Sequence, residues 1–542
     1  MVLLPEPGRH LPIVQRFDQG PSLLLLPDLF RETFADLDTS LEAEGVTLLK
    51  CEPNYKVHFD DGECFELSTD MTRMKREVEK WEGKDGFERY LGFLREGHRH
   101  YERSVTHVLK RNFPSIFSIL RPSFLRASLG LHPFESMYSR ASRYFRTDRL
   151  RRVFTFASMY MGMSPFKAAG TYSLLQYSEL AEGIWYPKGG FHSIISALVR
   201  IGERKGVDYR LSTAVASVNL ATLGSSHHRY ATGVTLATGE IFSADVVVIN
   251  ADLVYAYNDL LPPSSLAQDL SKRSASCSSI SFYWAMNGRI PQLTTHNIFL
   301  AGQYQASLDD VFEKQRVPTE PSFYVNVPSR IDSTAAPDGN DTLVVLVPVG
   351  HLPNPSQGSR GLDVLNGQDW DELVSSTREK ILLTISARTG CSIHDLANNI
   401  LHESINTPQT WKSTFNLDKG AILGLSHHFL NVLSFRPRTK HPVFRALFFV
   451  GASTHPGTGV PVCLAGSRIT SEQVLKSCGM DIPWNKRAQS LEPKKWKTIE
   501  DVSDIDQPHV FQFLSSLHIG LLILLSISAF WVSLYSSNSG KL

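Results

Sequence analysis

The chain has 542 residues, more than one hydrophobic core usually serves, so we expect two lobes with accessory segments. Its 55 lysines and arginines nearly balance 54 aspartates and glutamates, and this balance gives no support to a nucleic-acid partner. The six cysteines form no C-x-x-C pair and lie in no histidine-rich cluster, so we expect free thiols in a reducing compartment and predict no metal site. Residues 1–12 lack the basic and apolar segments of a secretory signal.

Arginines recur at short intervals in the first third of the chain. The set comprises Arg140, Arg143, Arg146, Arg149, Arg151 and Arg152. Such a run usually forms a solvated helix face, and we favour that interpretation over contact with lipid headgroups or orientation of a reacting group. Downstream, Met159, Met161 and Met163 either line an apolar channel or fill a core, since methionine adapts to irregular gaps.

The first clear strand–helix unit covers residues 183–206. Gly189 and Gly190 predict a turn, apolar residues then recur at helical spacing, and Gly206 predicts the end of the helix. Residues 207–220 are expected to be extended.

Two buried strands are predicted further along. A hairpin turn at Thr238 and Gly239 precedes the run at residues 246–249, whose lack of polar alternation predicts a strand buried on both faces. A second strand–turn–helix unit begins at residues 447–450, and Gly451 closes its strand. Two units of this kind indicate an α/β core with parallel strands.

The remaining stretches favour a second lobe. Residues 60–182 and 253–430 are richer in aromatic side chains and irregular loops. Strand-like segments at residues 279–288, 322–331 and 342–350 predict that this lobe is partly antiparallel.

The loop at residues 451–466 carries the strongest chemical signal that the residues provide by themselves. Its glycines allow a ligand to approach the backbone closely, and the helix after it, with Pro461 in its first turn, offers free N–H groups. A flavin ring or a pyrophosphate would bind there, and a tight strand-to-helix turn explains the pattern equally well. No phosphate loop, zinc helix or nucleophile elbow occurs, and no strand followed by G-x-G-x-x-G lies in the first 100 residues.

The C-terminal tail is free of Asp, Glu, Lys and Arg over residues 510–540. About twenty apolar residues suffice to cross a bilayer as a helix. Phe530, Trp531 and Tyr535 suit an interfacial aromatic belt. We therefore predict a transmembrane anchor at residues 511–535 rather than a buried core helix, and the flanking charges favour a cytosolic body.

From Arg16 to Trp484 the chain resembles the phytoene desaturases, above all the fungal ones. The segments RFDQGPSLLLLPDLF, GTYSLLQYSELAEGIWYPKGGFHSIISAL and FFVGASTHPGTGVPVCLAGS carry the resemblance, in the order in which the family has them. The resemblance implies an FAD/NAD(P)-binding-like α/β flavoprotein fold with an α+β substrate domain. It also implies FAD as cofactor and C40 polyene hydrocarbons as substrates, with 15-cis-phytoene desaturated stepwise towards lycopene or 3,4-didehydrolycopene.

The resemblance also assigns candidate site residues. The flavin-contacting motif of the family matches Gly451, His455, Pro456, Gly457, Thr458, Gly459 and Val460, and a position near the adenine end matches Val215. Polar positions near the reacting end match Asp252, Arg151 and Asp148.

The chain departs from the family at its start. There the family has a strand, a G-x-G-x-x-G turn, a helix and an acidic residue that bind the FAD pyrophosphate and ribose. Residues 1–15 do not resemble that segment, so we expect the fold to lack its first βαβ portion and to have exposed apolar sheet edges. Either a start codon or upstream exon was missed, which we favour, or this is a short form with impaired flavin binding.

The predicted domain organisation follows from these matches. It comprises a non-family start (1–15), a remnant of the FAD-binding domain (16–60), a substrate or membrane-associated lobe (61–182), the continued FAD-binding domain (183–252), the substrate domain (253–430), the C-terminal part of the FAD-binding domain (431–484), a linker (485–510) and the transmembrane anchor (511–535).

Three functions stay open on the sequence. The leading hypothesis is an FAD-dependent phytoene desaturase with oxygen, a quinone or NAD as electron acceptor. The alternatives are a catalytically impaired, membrane-bound scaffold and another flavin oxidoreductase of the amine oxidase type. Expected partners are the polyene substrate, the endoplasmic reticulum or another internal membrane, and either further carotenoid enzymes or a second copy of the chain.

Overall fold

The computed structural model of the protein describes residues 15–128, 130–223, 228–353 and 369–485. Of these, the residues up to Ile482 belong to one compact unit. The α-helices of the described part are α1 (Pro27–Asp36), α2 (Met71–Glu82), α3 (Gly86–Ser104), α4 (Pro122–Ser128), α5 (Met137–Ala141), α6 (Asp148–Val153), α7 (Leu174–Tyr177), α8 (His192–Arg204), α9 (Leu253–Tyr255), α10 (Ser265–Ser271), α11 (Tyr304–Phe312), α12 (Trp370–Thr389), α13 (Ile393–Asn398), α14 (Pro408–Phe415) and α15 (Val460–Ser477).

The strands are mostly short. They are β1 (Leu48–Cys51), β2 (Tyr55–His58), β3 (Cys64–Leu67), β4 (Ile184–Pro187), β5 (Val215–Leu223), β6 (His228–Leu236), β7 (Ile241–Ser243), β8 (Val247–Ile249), β9 (Ser278–Met286), β10 (His296–Phe299), β11 (Phe323–Asn326), β12 (Thr342–Val349), β13 (Ile400–Asn406), β14 (Phe444–Arg445) and β15 (Leu447–Phe449).

The largest sheet has seven strands in the order β13-β9-β12-β11-β10-β2-β3. All of its neighbours pair antiparallel except β10 and β2, which are parallel. Every residue of β9 is buried. One face of β9 shares a core with Trp370, Ile381 and Ile385 of α12, and the other face packs with Phe17. The predicted strands of a partly antiparallel lobe are therefore confirmed at β9, β11 and β12.

Helix α12 shows how local sequence fixes an element. The Asp369 side chain accepts hydrogen bonds from the N–H groups of Asp371 and Glu372, which caps the amino end. Gly390 takes a left-handed conformation with φ of 73° and ends the helix.

The second predicted strand–turn–helix unit is confirmed by β15 and α15. Strand β15 pairs in parallel with β8, and all three residues of β15 are buried. The prediction that residues 246–249 are buried on both faces is wrong, because Val248 is 48% exposed. In the described part of the chain this parallel sheet has two strands, and one face of β8 has no covering layer at Val248.

The edge of β15 that faces away from β8 is paired with the preceding chain. The N–H of Phe449 donates to the Thr439 carbonyl at 2.8 Å, and the N–H of His441 donates to the Leu447 carbonyl at 3.0 Å. Residues 439–441 therefore cover the outer edge of β15, since they satisfy its polar groups. The expectation that loss of the first βαβ portion exposes apolar sheet edges stays a prediction.

The first predicted unit folds as β4 followed by α8, and the hairpin at Thr238 and Gly239 connects β6 to β7. Strand β4, however, pairs antiparallel with β1, so the prediction of a parallel strand is wrong at this unit. The two strands lie far apart in the chain, and nothing in their local pattern fixes their relative direction.

No helix within the described ranges is both long enough and apolar enough to cross a membrane. The predicted anchor at residues 511–535 lies outside those ranges. All six cysteines are free thiols, as predicted. Burial raises the pKa of Cys51 and of Cys277 to about 12, so both thiols are unreactive at neutral pH.

Candidate functional site

The loop between β15 and α15 is held against the end of β8 and against one buried histidine. At Gly451 φ is 117°, and a Cβ there would lie 2.8 Å from Asn250 Oδ1, just beyond β8. At Gly457 φ is 145°, and a Cβ would lie 2.3 Å from His427 Nε2. The N–H of Thr458 donates to that same nitrogen at 3.1 Å. Only glycine permits these close approaches, because any other residue would place a Cβ against Asn250 or His427. The observed loop conformation therefore requires glycine at positions 451 and 457.

The amino end of α15 is open to a ligand. Its N-cap residue, Gly459, has φ of 98° and no side chain that caps the helix. The N–H groups of Val460 and Val462 therefore have no acceptor within the helix. Gly459 is exposed and Val460 is half-buried, while Pro456 packs over Gly466 within 3.1 Å of where a Cβ would be. This end suits carbonyl or phosphate oxygens, because its N–H groups and its dipole attract negative charge.

Two histidines, His455 within the loop and His427 beside it, are neutral. The ring of His455 hydrogen-bonds through Nε2 to the Arg111 carbonyl at 2.7 Å, and its Nδ1 has no hydrogen-bond partner among the described residues. Burial lowers the pKa of His455 to about 4. Burial, assisted by the charge of Arg436, also lowers the pKa of His427 well below its usual value. Both rings therefore act as uncharged hydrogen-bonding groups.

Asp252 lies at the same edge as the glycine loop. It follows β8, and β8 and β15 are parallel, so both strands end at this edge. Its Oδ1 accepts hydrogen bonds from the N–H groups of Val254 and Tyr255 at 3.0 and 3.1 Å. Burial raises the pKa of Asp252 to about 6. The structure thus places Asp252 at the sheet edge from which the predicted flavin-contacting motif starts.

The other three candidates lie elsewhere in the fold. Val215 begins β5, opposite Leu236, in the four-stranded sheet of β14, β6, β5 and β7. Asp148 accepts from the Tyr138 hydroxyl and pairs with Arg152. Arg151 donates to the carbonyls of residues 145 and 146, at 2.9 and 3.0 Å. The partners of Asp148 and Arg151 are local to the turn of the chain around α6.

The arginine run does not form the predicted solvated face. Its residues are divided between α5, α6 and the turn between them, so a regular spacing does not place them on one side. Arg140 is buried and donates to both oxygens of Glu96. The guanidinium of Arg149 lies 4.6 Å from the Phe59 ring centroid and 4.3 Å from that of Trp81.

Met161 and Met163 are buried in a small core that they share with Met137, and Met159 packs against the largest core. Core packing is therefore what the structure shows for these methionines.

A buried polar cluster escaped the sequence analysis. Glu179 is 1% exposed, and its Oε1 accepts from the Tyr55 hydroxyl, which in turn contacts the Tyr160 hydroxyl. Burial raises the pKa of Glu179 to about 8. No periodic or motif signal marks this acid, because its neighbours come from β2 and from distant helical segments.

Within the described ranges, Glu96, His100 and His132 form a group that could hold a metal ion. The oxygens of Glu96 already accept from Arg140 and Tyr144, and His100 Nε2 lies 2.9 Å from His132 Nδ1. The side chains thus satisfy one another without a metal.

Comparison with known proteins places this site in a family. The profile of the flavin containing amine oxidoreductases matches residues 17–354. The chain is 60% identical over 480 residues to a phytoene desaturase of Fusarium fujikuroi, which covers 86% of this chain and 83% of that protein. A phytoene desaturase of Neurospora crassa is 55% identical over 504 residues, covering 91% of this chain and 82% of that one. The chain belongs to the phytoene desaturase family.

The fold of this phytoene desaturase family member also resembles solved flavoenzymes. A variant of putrescine oxidase gives a TM-score of 0.51 at 12% identity and covers 86% of this chain and 90% of that one. A likeness at this identity concerns the fold alone. Together with the mixed α/β sheets, it confirms the flavoprotein fold that the sequence predicts.

Family membership confirms FAD as the cofactor and an oxidoreductase as the enzyme class. The glycine loop fits such a group at Gly459, where a Cβ would meet no atom closer than 3.9 Å and where no side chain caps the first N–H groups of α15. Gly457, Thr458, Gly459 and Val460 would hold the flavin in this chain. Their role, and those of Gly451, His455, Pro456, Val215, Asp252, Asp148 and Arg151, stay predictions.

Proposed function

We propose that this member of the family catalyses the desaturation of phytoene in carotenoid biosynthesis. The observation that supports this most is the glycine loop with the open amino end of α15, in a chain 60% identical to a phytoene desaturase. Each desaturation removes a hydride from one carbon and a proton from its neighbour, and bound FAD would supply the hydride acceptor. The substrate is 15-cis-phytoene, converted stepwise towards lycopene or 3,4-didehydrolycopene, and NAD is one candidate for the terminal acceptor.

The second hydrogen of each step leaves as a proton, and we assign its acceptance to Asp252. The carboxylate accepts from the N–H groups of Val254, Tyr255 and Asp418, and the lone pairs that these bonds leave free are the ones that take the proton. A carboxylate with a pKa of about 6 is ionised at neutral pH and is a stronger base than an ordinary aspartate. Its position at the strand edge beside the glycine loop supports this role.

The test uses the full chain purified in detergent or liposomes with 15-cis-phytoene. We expect flavin absorbance in the protein and coloured, conjugated products. Asp252→Asn, which keeps a side-chain oxygen for the α9 cap, should retain flavin and lose activity about 100-fold or more. Asp245→Asn, an exposed aspartate of the same segment, is the matched control and should keep full activity. Equal activity of the two variants would remove Asp252 from the mechanism.

A catalytically impaired scaffold is the second candidate function. Flavin occupancy separates the two. A chain that folds but binds no flavin and forms no product supports the scaffold.

We also propose that the protein associates with a membrane through its body as well as through the predicted anchor at residues 511–535. The body exposes large apolar side chains in neighbouring segments. Phe117 is 73% exposed and Phe134 is 86% exposed. The ring of Phe134 lies 5.3 Å from that of Phe429, and the Ser434 hydroxyl donates to the Ser115 carbonyl at 2.7 Å, which joins the segments into one surface. We call this surface the apolar patch; it comprises Ile116, Phe117, Leu120, Phe134, Phe429 and Leu430.

The charges around the apolar patch fit anionic lipid headgroups. Residues 103–134 and 419–471, which supply the patch, contain lysines and arginines but no aspartate or glutamate. Exposed basic residues such as Arg111 and Arg126 add electrostatic attraction to apolar insertion. An internal membrane such as the endoplasmic reticulum, with a cytosolic body, would bring this surface to a lipophilic substrate.

Penetration of the apolar patch is measurable even when the tail holds the protein on the membrane. An environment-sensitive fluorophore is attached at Phe134→Cys in a Cys478→Ser background and compared with Leu211→Cys, an equally exposed site elsewhere. On liposomes with anionic lipid, we expect a blue shift and quenching by lipid-borne quenchers at position 134 and neither at 211. Identical spectra at both positions contradict insertion, and a shift without lipid at higher protein concentration indicates self-association instead.

A further inference from the structure

Arg436 lies beneath the glycine loop and is 2% exposed. Its side chain ties two loops together, residues 425–431 and 452–454. Nε donates to the Thr454 carbonyl at 2.9 Å, and Nη1 donates to the Asn431 carbonyl at 2.8 Å. Further donors go to the carbonyls of Leu425, Ser426 and Ala452. The guanidinium therefore uses its fork to fix the backbone on both sides of the loop, which a lysine cannot do.

The positive charge of Arg436 has no carboxylate partner among the residues that the structure describes. All five acceptors are neutral carbonyls, and residues 419–471 contain no aspartate or glutamate. Burial lowers the pKa of Arg436 to about 10, so it stays charged at neutral pH. A buried charge without a partner is costly to a fold. Because Arg436 keeps its charge beside the glycine loop, we expect a negatively charged group of a ligand to compensate it there.

The charge of Arg436 affects the pKa values of two groups that flank the glycine loop, His427 and Cys463. The pKa of His427 is lowered mainly by burial and, as the second largest cause, by the charge of Arg436. The same charge also opposes the rise of the Cys463 pKa, which burial brings to about 11. Cys463 lies in the first turn of α15, whose dipole adds to the same positive potential.

We propose that Arg436 is a positioning residue whose uncompensated charge raises the reduction potential of the flavin at this loop. The inference rests on the proposed function, since it requires flavin to bind at residues 451–460. Two-electron reduction adds negative charge to the flavin ring, and a nearby buried cation favours that form. Water and salt screen such a charge little, because it lies in the low-dielectric interior.

The experiment measures flavin affinity and midpoint potential on the full chain loaded with FAD. Arg436→Met should lower the equilibrium constant of reduction at least tenfold, which is ~30 mV for a two-electron couple. Arg436→Lys should keep the potential and lose flavin affinity, because it keeps the charge without the fork. Arg273→Met is the matched control: Arg273 donates to the Phe435 carbonyl at 2.6 Å and to Asn431 Oδ1. Loss of the Arg273 side chain removes hydrogen bonds from the segment that precedes Arg436, and the flavin potential should stay as in the wild type.

A second pair of variants leaves Arg436 in place and covers failure of Arg436→Met to fold. Cys463→Asp supplies a carboxylate within electrostatic reach of the guanidinium and should lower the potential, whereas Cys463→Asn should not. If the potential of Arg436→Met is unchanged, the inference is overturned and the proposed function stands. If Arg436→Met does not fold, an unchanged potential in Cys463→Asp has the same meaning. A wild-type chain that binds no flavin overturns both.

Discussion

Substitution of Gly457 by alanine tests the geometry of the glycine loop most sharply. A Cβ at this position would lie 2.3 Å from His427 Nε2, where nothing can give way without breaking the Thr458 hydrogen bond. Overpacking of this kind costs about 1–3 kcal/mol. The positive φ of 145° adds about 1–2 kcal/mol for any residue with a Cβ. We therefore expect Gly457→Ala to lower the free energy of unfolding by about 2–5 kcal/mol.

The assay is denaturant unfolding together with flavin retention on a desalting column. Gly206→Ala is the matched control, because Gly206 has φ of 85° and a Cβ there would meet no atom of the described residues within 4 Å. It should cost only the backbone part, about 1–2 kcal/mol, and leave flavin retention unchanged. Adding His427→Ala to Gly457→Ala should restore part of the lost stability by removing the clash. If Gly457→Ala is no more destabilising than Gly206→Ala, the close approach to His427 is not real and the reasoning fails.

Three further predictions concern buried groups. Arg140→Ala leaves the Glu96 carboxylate buried without its partner and should lower the free energy of unfolding in urea by about 3–5 kcal/mol. The native Arg143 side chain is 61% exposed, so Arg143→Ala should change stability by less than about 0.5 kcal/mol. The pKa of Glu179 is raised from 4.5 to about 8, so the folded state keeps a proton that the unfolded state has lost; stability should fall as pH rises through this window, and Glu179→Gln should flatten that slope. Thiol-reactive reagents should modify exposed Cys478 in the native protein, and mass spectrometry should find buried Cys277 unmodified until the chain unfolds.

Elements with a strong local pattern could be predicted from the sequence. Strand β9 is rich in aromatic residues, β12 is an almost uninterrupted apolar run, and α15 follows a glycine loop with a proline in its first turn. The signals lie within a few residues of the feature that they determine, so no tertiary contact is needed to see them. The same holds for the hairpin between β6 and β7.

Features that depend on distant contacts could not be predicted. The antiparallel pairing of β1 and β4 joins residues on either side of the helical lobe. Arg436 follows no periodic pattern, and its importance arises from carbonyls in two separate loops. Glu179 resembles any other acid of a helical segment until β2 brings Tyr55 against it. The solvated face predicted for the arginine run is wrong for the same reason, since a break between α5 and α6 sends its side chains into different environments.

The most direct test of the central claim is an anaerobic single turnover with the full chain, loaded with FAD and presented with 15-cis-phytoene in liposomes. We expect the absorbance of the oxidised flavin to bleach at the rate at which a more conjugated polyene appears. A protein that keeps its flavin oxidised and its phytoene unchanged would contradict the assignment of this chain as a phytoene desaturase.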